Sequence, residues 1–197
     1  MAEILVAGHT INAAAQSLDL EQRNIEDITP LRSLKTVEEL FLSHNQITDV
    51  TPVSALTSLR VLSFWDNLVS DISPLQGLIN ITHLGLGENG VSDLSPLQSL
   101  VRLVEADLEH NRISDVSPLR TLNGLRSLYL SDNKITDITP LSALVDLEEL
   151  GLYGNQITDA TPLYALKKLI KLEIHGNLLT DSQIAELKRA LPDCEIV

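Results

Sequence analysis

A single cysteine, Cys194, stands among 197 residues, so neither an internal disulfide framework nor a multi-thiolate zinc site is open to this chain. Aromatic residues make up only 3% against 44% hydrophobic residues, so whatever core forms must be aliphatic. Cations are also scarce, 14 Lys and Arg against 27 Asp and Glu, for a net charge of −13. Such a surface repels phosphate backbones and anionic lipid, which sets nucleic acid and membrane aside as partners. No apolar run approaches the roughly 18 residues of a membrane span. The start, Met1 to Gly8, has no basic stretch and too short an apolar run for a signal peptide. Read as written, the chain is cytoplasmic; it is secreted or at the cell surface if a leader has been removed ahead of it. A Gly-rich phosphate loop, a nucleophile elbow and a metal-spaced His/Cys cluster are missing too, so the expectation is a non-enzyme without cofactor or metal.

What is present is a period. Proline recurs at Pro30, Pro52, Pro74, Pro96, Pro118, Pro140 and Pro162, a strict 22-residue step. Asparagine keeps the same step from Asn45 through Asn67, Asn89, Asn111, Asn133 and Asn155 to Asn177, and aspartate keeps it from Asp27 to Asp181. Three columns sharing one period identify a repeat array. Around Leu40 and Leu42 apolar and polar residues alternate, as in a short strand with one face inward. Equivalent pairs run from Leu18/Leu20 to Leu172/Ile174, which makes eight parallel strands and a sheet roughly 35–40 Å long at ~4.8 Å per strand. The Asn column follows each strand, where stacked amides can serve the buried backbone groups of a turn. Ser or Thr before each Pro reads as an N-cap, the Asp two residues earlier as a further cap, and the return limb as a short 3₁₀ turn.

The core L-x-x-L-x-L-x-x-N followed by I-[ST]-D-[IV]-[ST]-P-L, as in Leu125 to Leu141, resembles the leucine-rich repeat superfamily and within it the internalin type. The resemblance covers about residues 15 to 181. It implies an α/β solenoid with a curved parallel β-sheet on its concave face, short 3₁₀ turns on its convex face and a C-terminal capping helix. It also implies a bacterial surface or secreted protein whose concave face grips another protein. The larger helical N-terminal cap, immunoglobulin-like domain and wall-sorting tail of that family are not seen in the chain as written, so protein binding by the repeats, and not invasion, is what carries over.

The expected organisation is an N-terminal cap at 1–14, the array at 15–181 and a helical C-terminal cap at 182–197, together a complete domain. Ile4, Leu5 and Val6 form the expected sealing strand, and Arg23 replaces the first ladder Asn at a partly solvated turn. Thr180 to Gln183 reads as a capping box opening a helix whose Ile184, Leu187 and Leu191 face inward, and Cys194 as a small buried hydrophobe.

Function is expected where the scaffold dictates nothing, at the outward strand positions. Three columns of eight such positions hold four of the six aromatics, Phe41, Trp65, Tyr129 and Tyr153, and eight acids against one lysine, a local charge of −7. Exposed aromatic anchors within one sign of charge suit protein recognition. Phe41 and Trp65, and likewise Tyr129 and Tyr153, are 24 residues apart, a diagonal step that would put each pair ~7–8 Å apart in one patch. The patches would lie roughly 19 Å apart. Between them Gly85 and Gly87 leave a shallow depression beside the acids Glu105, Asp107 and Glu109. With Glu39, His83 and Glu149 these residues form the candidate protein-binding face, and the partner is expected to offer basic residues and apolar pockets to a monomer. As a calcium site the acidic strand lacks a second wall of oxygens, and His44 and His110 are three strands apart, too far to share a metal. Ala106 takes a core leucine's place beneath that strand. The alternatives are an intracellular regulatory scaffold of the kind that holds a phosphatase, and an engineered binding scaffold.

Overall fold

The computed structural model of the chain describes residues 3–197; the first two positions of the expected N-terminal cap lie outside the described residues. Strands β3 (Ser17–Asp19), β4 (Glu39–Phe41), β5 (Val61–Ser63), β6 (His83–Gly85), β7 (Glu105–Asp107), β8 (Ser127–Tyr129), β9 (Glu149–Gly151) and β10 (Lys171–Glu173) lie side by side in sequence order. All pair in parallel and in a single register, Leu40 beside Leu62 and Leu62 beside Leu84. A period of 22 thus places each residue beside its counterpart one repeat on. Column by column, Leu40, Leu62, Leu84, Ala106, Leu128, Leu150 and Leu172 point into the core, and Leu42 to Ile174 line it beside them. Ala106 is fully buried between Leu84 and Leu128; nothing in the structure explains the smaller residue there.

Seven 3₁₀ turns form the opposite limb, from Thr29–Ser33 to Thr161–Ala165, each burying one aliphatic side chain such as Leu75 or Leu141. Their caps differ from the sequence reading. Thr51 or Ser73 is the first residue inside the turn, not its N-cap, and Val50 or Ile72 at the N-cap position offers no side-chain bond. The cap is the aspartate alone: Asp49 Oδ1 accepts from the Thr51 amide and Asp71 Oδ1 from the Ser73 amide, both at 2.8 Å. These bonds hold the carboxyls of Asp27, Asp49 and Asp137 below the ordinary range, led by the threonine hydroxyl, and that of Asp71 likewise, led by the serine amide.

The asparagine ladder is the second frame. Asn67 Oδ1 accepts from the Ile47 amide at 3.0 Å, and its amide nitrogen donates to the carbonyls of Leu42 and Phe64 at 2.9 and 3.0 Å. Each asparagine so joins its own turn to the one before and satisfies at least three backbone groups that burial would otherwise leave bare. The residue ahead of each ladder position has a left-handed backbone: Gln22, His44, Asp66, Glu88, His110 and Asp132 at φ 50 to 57°, then Gly154 and Gly176 at 67 and 70°. Periodicity alone did not disclose that conformation, because five different residue types occupy the column.

The ends close the array differently. At the start, β1 (Glu3–Val6) and β2 (His9–Asn12) form an antiparallel hairpin around Ala7-Gly8, both at positive φ. Val6 and Ile11 are buried, but Leu5 is 62% exposed, so it does not seal the core as expected. Strand alternation accounts for this, since Ile4 and Val6 share one face and Leu5 takes the other. At the far end Thr180 caps α1 (Asp181–Ala190) reciprocally: the Gln183 amide donates to Thr180 Oγ1, and the Thr180 amide to Gln183 Oε1. Leu187 and Leu191 are buried and Ile184 half-buried. The chain then returns as β11 (Glu195–Ile196), pairing in parallel with β10, so the sheet has nine strands and not eight. Cys194 is half-buried, not buried as expected, and burial pushes its thiol up, away from thiolate chemistry.

Candidate protein-interaction face

Strand alternation turns three residues of each repeat outward, and the register aligns them in rows across the sheet. Phe41, Trp65 and Tyr129 are half-buried and Tyr153 is 38% exposed. Glu39, His83 and Glu105 are exposed; Asp107, Glu109 and Glu149 are half-buried. All ten candidate residues therefore reach the surface, and the contacts of the four rings differ from one to the next.

Among the described residues the ring pairs are His44 with Trp65, centroids 4.8 Å apart and edge-on, and Tyr153 with His175, 4.4 Å apart and tilted. Phe41 does not pair with Trp65, nor Tyr129 with Tyr153. The reason lies one repeat further on. A Cβ at Gly87 would stand 2.6 Å from Trp65 Cδ1 and Nε1, and one at Gly176 would stand 2.9 Å from Tyr153 Cε2. Both rings thus lie over a glycine of the following repeat, just past its strand, where no side chain displaces them.

Tyr129 is fastened more firmly. Its hydroxyl donates to Glu149 Oε2 at 2.6 Å, and its ring lies 3.4 Å from where a Cβ of Gly151 would be. Burial, then the Glu149 carboxylate, push its phenol up to about 12. Ser131 shows the same neighbourhood from below. It is only 4% exposed and its hydroxyl has no partner, whereas its counterpart Ser43 shares a 2.9 Å hydrogen bond with Ser63. Gly151 stands where Ser63 would be repeated, so the partner hydroxyl is absent.

The middle of the face is open. Trp65, His83, Gly85, Glu105 and Asp107 line a depression of about 260 Å³, at one of the two glycines expected to leave it; the other, Gly87, is covered by the Trp65 ring. Burial pushes the Asp107 carboxyl above the ordinary range; the Glu109 amide, donating at 3.1 Å, pulls it down, and the charges of Glu109 and Glu105 push it up again. No Lys, Arg or His pairs with Glu105, Asp107 or Glu109 among the described residues, although Lys171 pairs with Glu173 at 2.6 Å on the same face. No group of three His, Cys, Asp or Glu side chains is arranged to hold a metal ion among the described residues.

Residue columns alone missed His44 and Asp66. His44 braces Trp65 while its Nδ1 lies 2.8 Å from Asp66 Oδ2, and His110 stands 3.5 Å from Asp132 in the same way. Complementary types one period apart, His44 with Asp66 and His110 with Asp132, were the available signal.

A sequence model of the family described as Leucine Rich repeats (2 copies) matches residues 35–77, 57–99 and 101–143. Among solved structures the chain is similar to the internalin inlF of Listeria monocytogenes, at 33% identity and a TM-score of 0.86 over 96% of this chain and 59% of that one. It thus spans less than two thirds of that relative. Internalin C2 of the same organism is 32% identical with a TM-score of 0.85, over 92% of this chain and 80% of that one. A leucine-rich repeat protein of Leptospira interrogans shares the fold at 24% identity and a TM-score of 0.70, over 87% of this chain and 51% of that one. No curated protein matches the sequence. Repeat, register, asparagine ladder and these likenesses agree: the chain belongs to the leucine-rich repeat family, and within it to the internalin type.

Proposed function

We propose that the chain is a non-catalytic module that recognises a partner protein through its concave face. Leucine-rich repeat proteins generally mediate protein–protein interaction. The observation that carries the reading to this face is its composition: rings at Phe41, Trp65, Tyr129 and Tyr153 reach the surface around carboxylates that no cation neutralises. A partner with basic residues opposite β7 and apolar pockets for the rings complements both features, and its charge steers encounter. Nucleic acid and anionic membrane are disfavoured by the same potential, and no helix among the described residues is long and apolar enough to cross a membrane. A glycosidase-like use of the carboxylates would need an opposing pair across a cleft, whereas Glu105 and Asp107 share one strand. The chain acts as a monomer in this reading, with 1–14 and 182–197 as caps.

The test is capture of partners from the source proteome by the wild-type chain and by a Trp65→Ala/Tyr129→Ala double variant. Each ring should contribute on the order of 2 kcal/mol of binding. A partner held equally by both proteins, with the double variant still folded, would overturn the assignment.

A further inference from the structure

From the depression at Gly85 we infer a receptor site for one arginine side chain of the partner, seated against the Trp65 indole and the carboxylates of Asp107 and Glu105. The inference rests on the concave-face reading above and narrows it to a single pocket and a single side chain. Its wall is set by Gly87, where a Cβ would stand 2.6 Å from Trp65 Nε1 and 2.8 Å from Asp107 Oδ1. The indole and the Asp107 carboxylate therefore converge over Gly87 from the two repeats that flank it. The hollow beside them, about 260 Å³, exists because Gly85 adds no side chain above Ser63.

Charge selects the occupant. Other acids of the face are already engaged, Glu149 by the Tyr129 hydroxyl and Glu173 by Lys171. Glu105 and Asp107 meet no cation among the described residues, and the one hydrogen bond to their side chains there is from the Glu109 amide to Asp107 Oδ1. His83 lines the same hollow but forms no ion pair with either carboxylate; its Nδ1 shares a 2.9 Å hydrogen bond with the Thr82 hydroxyl. A half-buried carboxylate without a counter-ion is raised in energy by desolvation, and a cation entering the hollow relieves that. Guanidinium suits the wall better than ammonium: it is planar, sheds water more readily, stacks on an indole and keeps in-plane N–H groups for two carboxylates at once.

Trp65 is the sole tryptophan of the chain, so its emission reports on this wall without interference. The probe is N-acetyl-arginine amide, with the neutral isostere N-acetyl-citrulline amide and N-acetyl-lysine amide as controls, titrated into the full chain at constant ionic strength. Amide chemical shifts of Gly85, Gly87 and Asp107 are followed in parallel. Arginine amide should produce a saturable change at Trp65 and at those three amides, citrulline amide none, and lysine amide a weaker one. Asp107→Asn, nearly isosteric, should weaken arginine binding on the order of tenfold. Gly85→Ala should weaken it by intruding on the hollow; the three atoms nearest its new Cβ would be the movable Ser63 hydroxyl at 2.8 Å and the Ser63 Cβ and Cα at 3.4 and 3.6 Å, so folding should survive.

A response equal for arginine and citrulline, or unchanged in Asp107→Asn, overturns the site. So does lysine amide binding more tightly than arginine. Should arginine amide fail while partner capture still depends on Trp65 and Tyr129, the pocket is wrong and the concave-face reading stands. Should arginine bind while capture ignores both rings, the pocket stands and that reading falls.

Discussion

Trp65 and Tyr129 occupy similar places, each an aromatic facing outward on the same sheet, yet one borders an open hollow and the other is locked down. Trp65 leans edge-on against His44 and lies over Gly87, leaving the space above Gly85 free. Tyr129 lies beside Gly151 and ties its hydroxyl to Glu149, and Gly151 is buried. The difference comes from residues one repeat further on: a ring next to a carboxylate it can bond is braced, and a ring over bare glycine leaves a pocket beside it. A face that reads as two matching patches is therefore asymmetric, with one braced region and one open one.

The frame beneath both regions is the same, and breaking it tests whether the contrast is confined to the surface. Asn67→Ala beneath Trp65 and Asn133→Ala beneath Tyr129 each strip three buried backbone partners. Each should cost about 3 kcal/mol in urea unfolding, and nearly the same in both places. Unequal losses would mean that the two halves differ in their core as well.

Next comes the brace itself. Tyr129→Phe should cost about 1 kcal/mol, because Glu149 loses its donor. Its pH dependence has a definite sign. The phenol sits near 10 when unfolded and is pushed up to about 12 in the fold, so its stabilising part is fully present below pH 10 and is lost as pH rises towards 12. Urea midpoints of the wild type should fall across that window, and those of Tyr129→Phe should fall less.

The left-handed column offers a third contrast, since the early repeats carry His44, Asp66 and Glu88 there and the late ones Gly154 and Gly176. Glu88→Gly removes a Cβ clash and should raise stability by about 1 kcal/mol, partly offset by the freer unfolded chain. A midpoint that drops would show that the Glu88 side chain contributes something beyond its backbone.

The smallest effect is expected at Asp107. Its carboxyl is raised by burial, so the charged form detracts from stability at pH 7, and protonation restores stability as pH falls through the raised value. Asp107→Asn should show a slightly higher urea midpoint than wild type at pH 7 and converge with it below pH 4. Equal midpoints throughout would argue that the site is not desolvated, and the open region would lose its distinguishing property.

Much of this was legible in one dimension. Pro52, Asn45 and Asp49 with their 22-residue echoes specified the solenoid, the parallel sheet and the 3₁₀ limb. Strand alternation placed all ten candidate residues at the surface, and Gly85 located the hollow, while Gly87 proved to be covered by the Trp65 ring. What stayed hidden involved conformation or side-chain direction. The left-handed residue before each ladder Asn has no single residue type, and Leu5 reads as apolar whichever way the hairpin turns it. The packing of Trp65 on His44 and of Tyr153 on His175 stayed hidden for the same reason, because spacing in sequence says nothing about which way a rotamer swings.

The amino-acid order by itself determined which residues become lateral neighbours, because a fixed period in a parallel stack leaves one register that buries the repeat leucines and pairs the ladder asparagines. Only the folded arrangement decided what those neighbours do to one another: that Tyr129 finds Glu149, that Ser131 is left without a partner, and that Trp65 leaves a hollow open beside Asp107. Burial patterns repeat with the backbone, whereas hydrogen bonds and ring contacts depend on ångström-scale side-chain positions that no periodicity encodes.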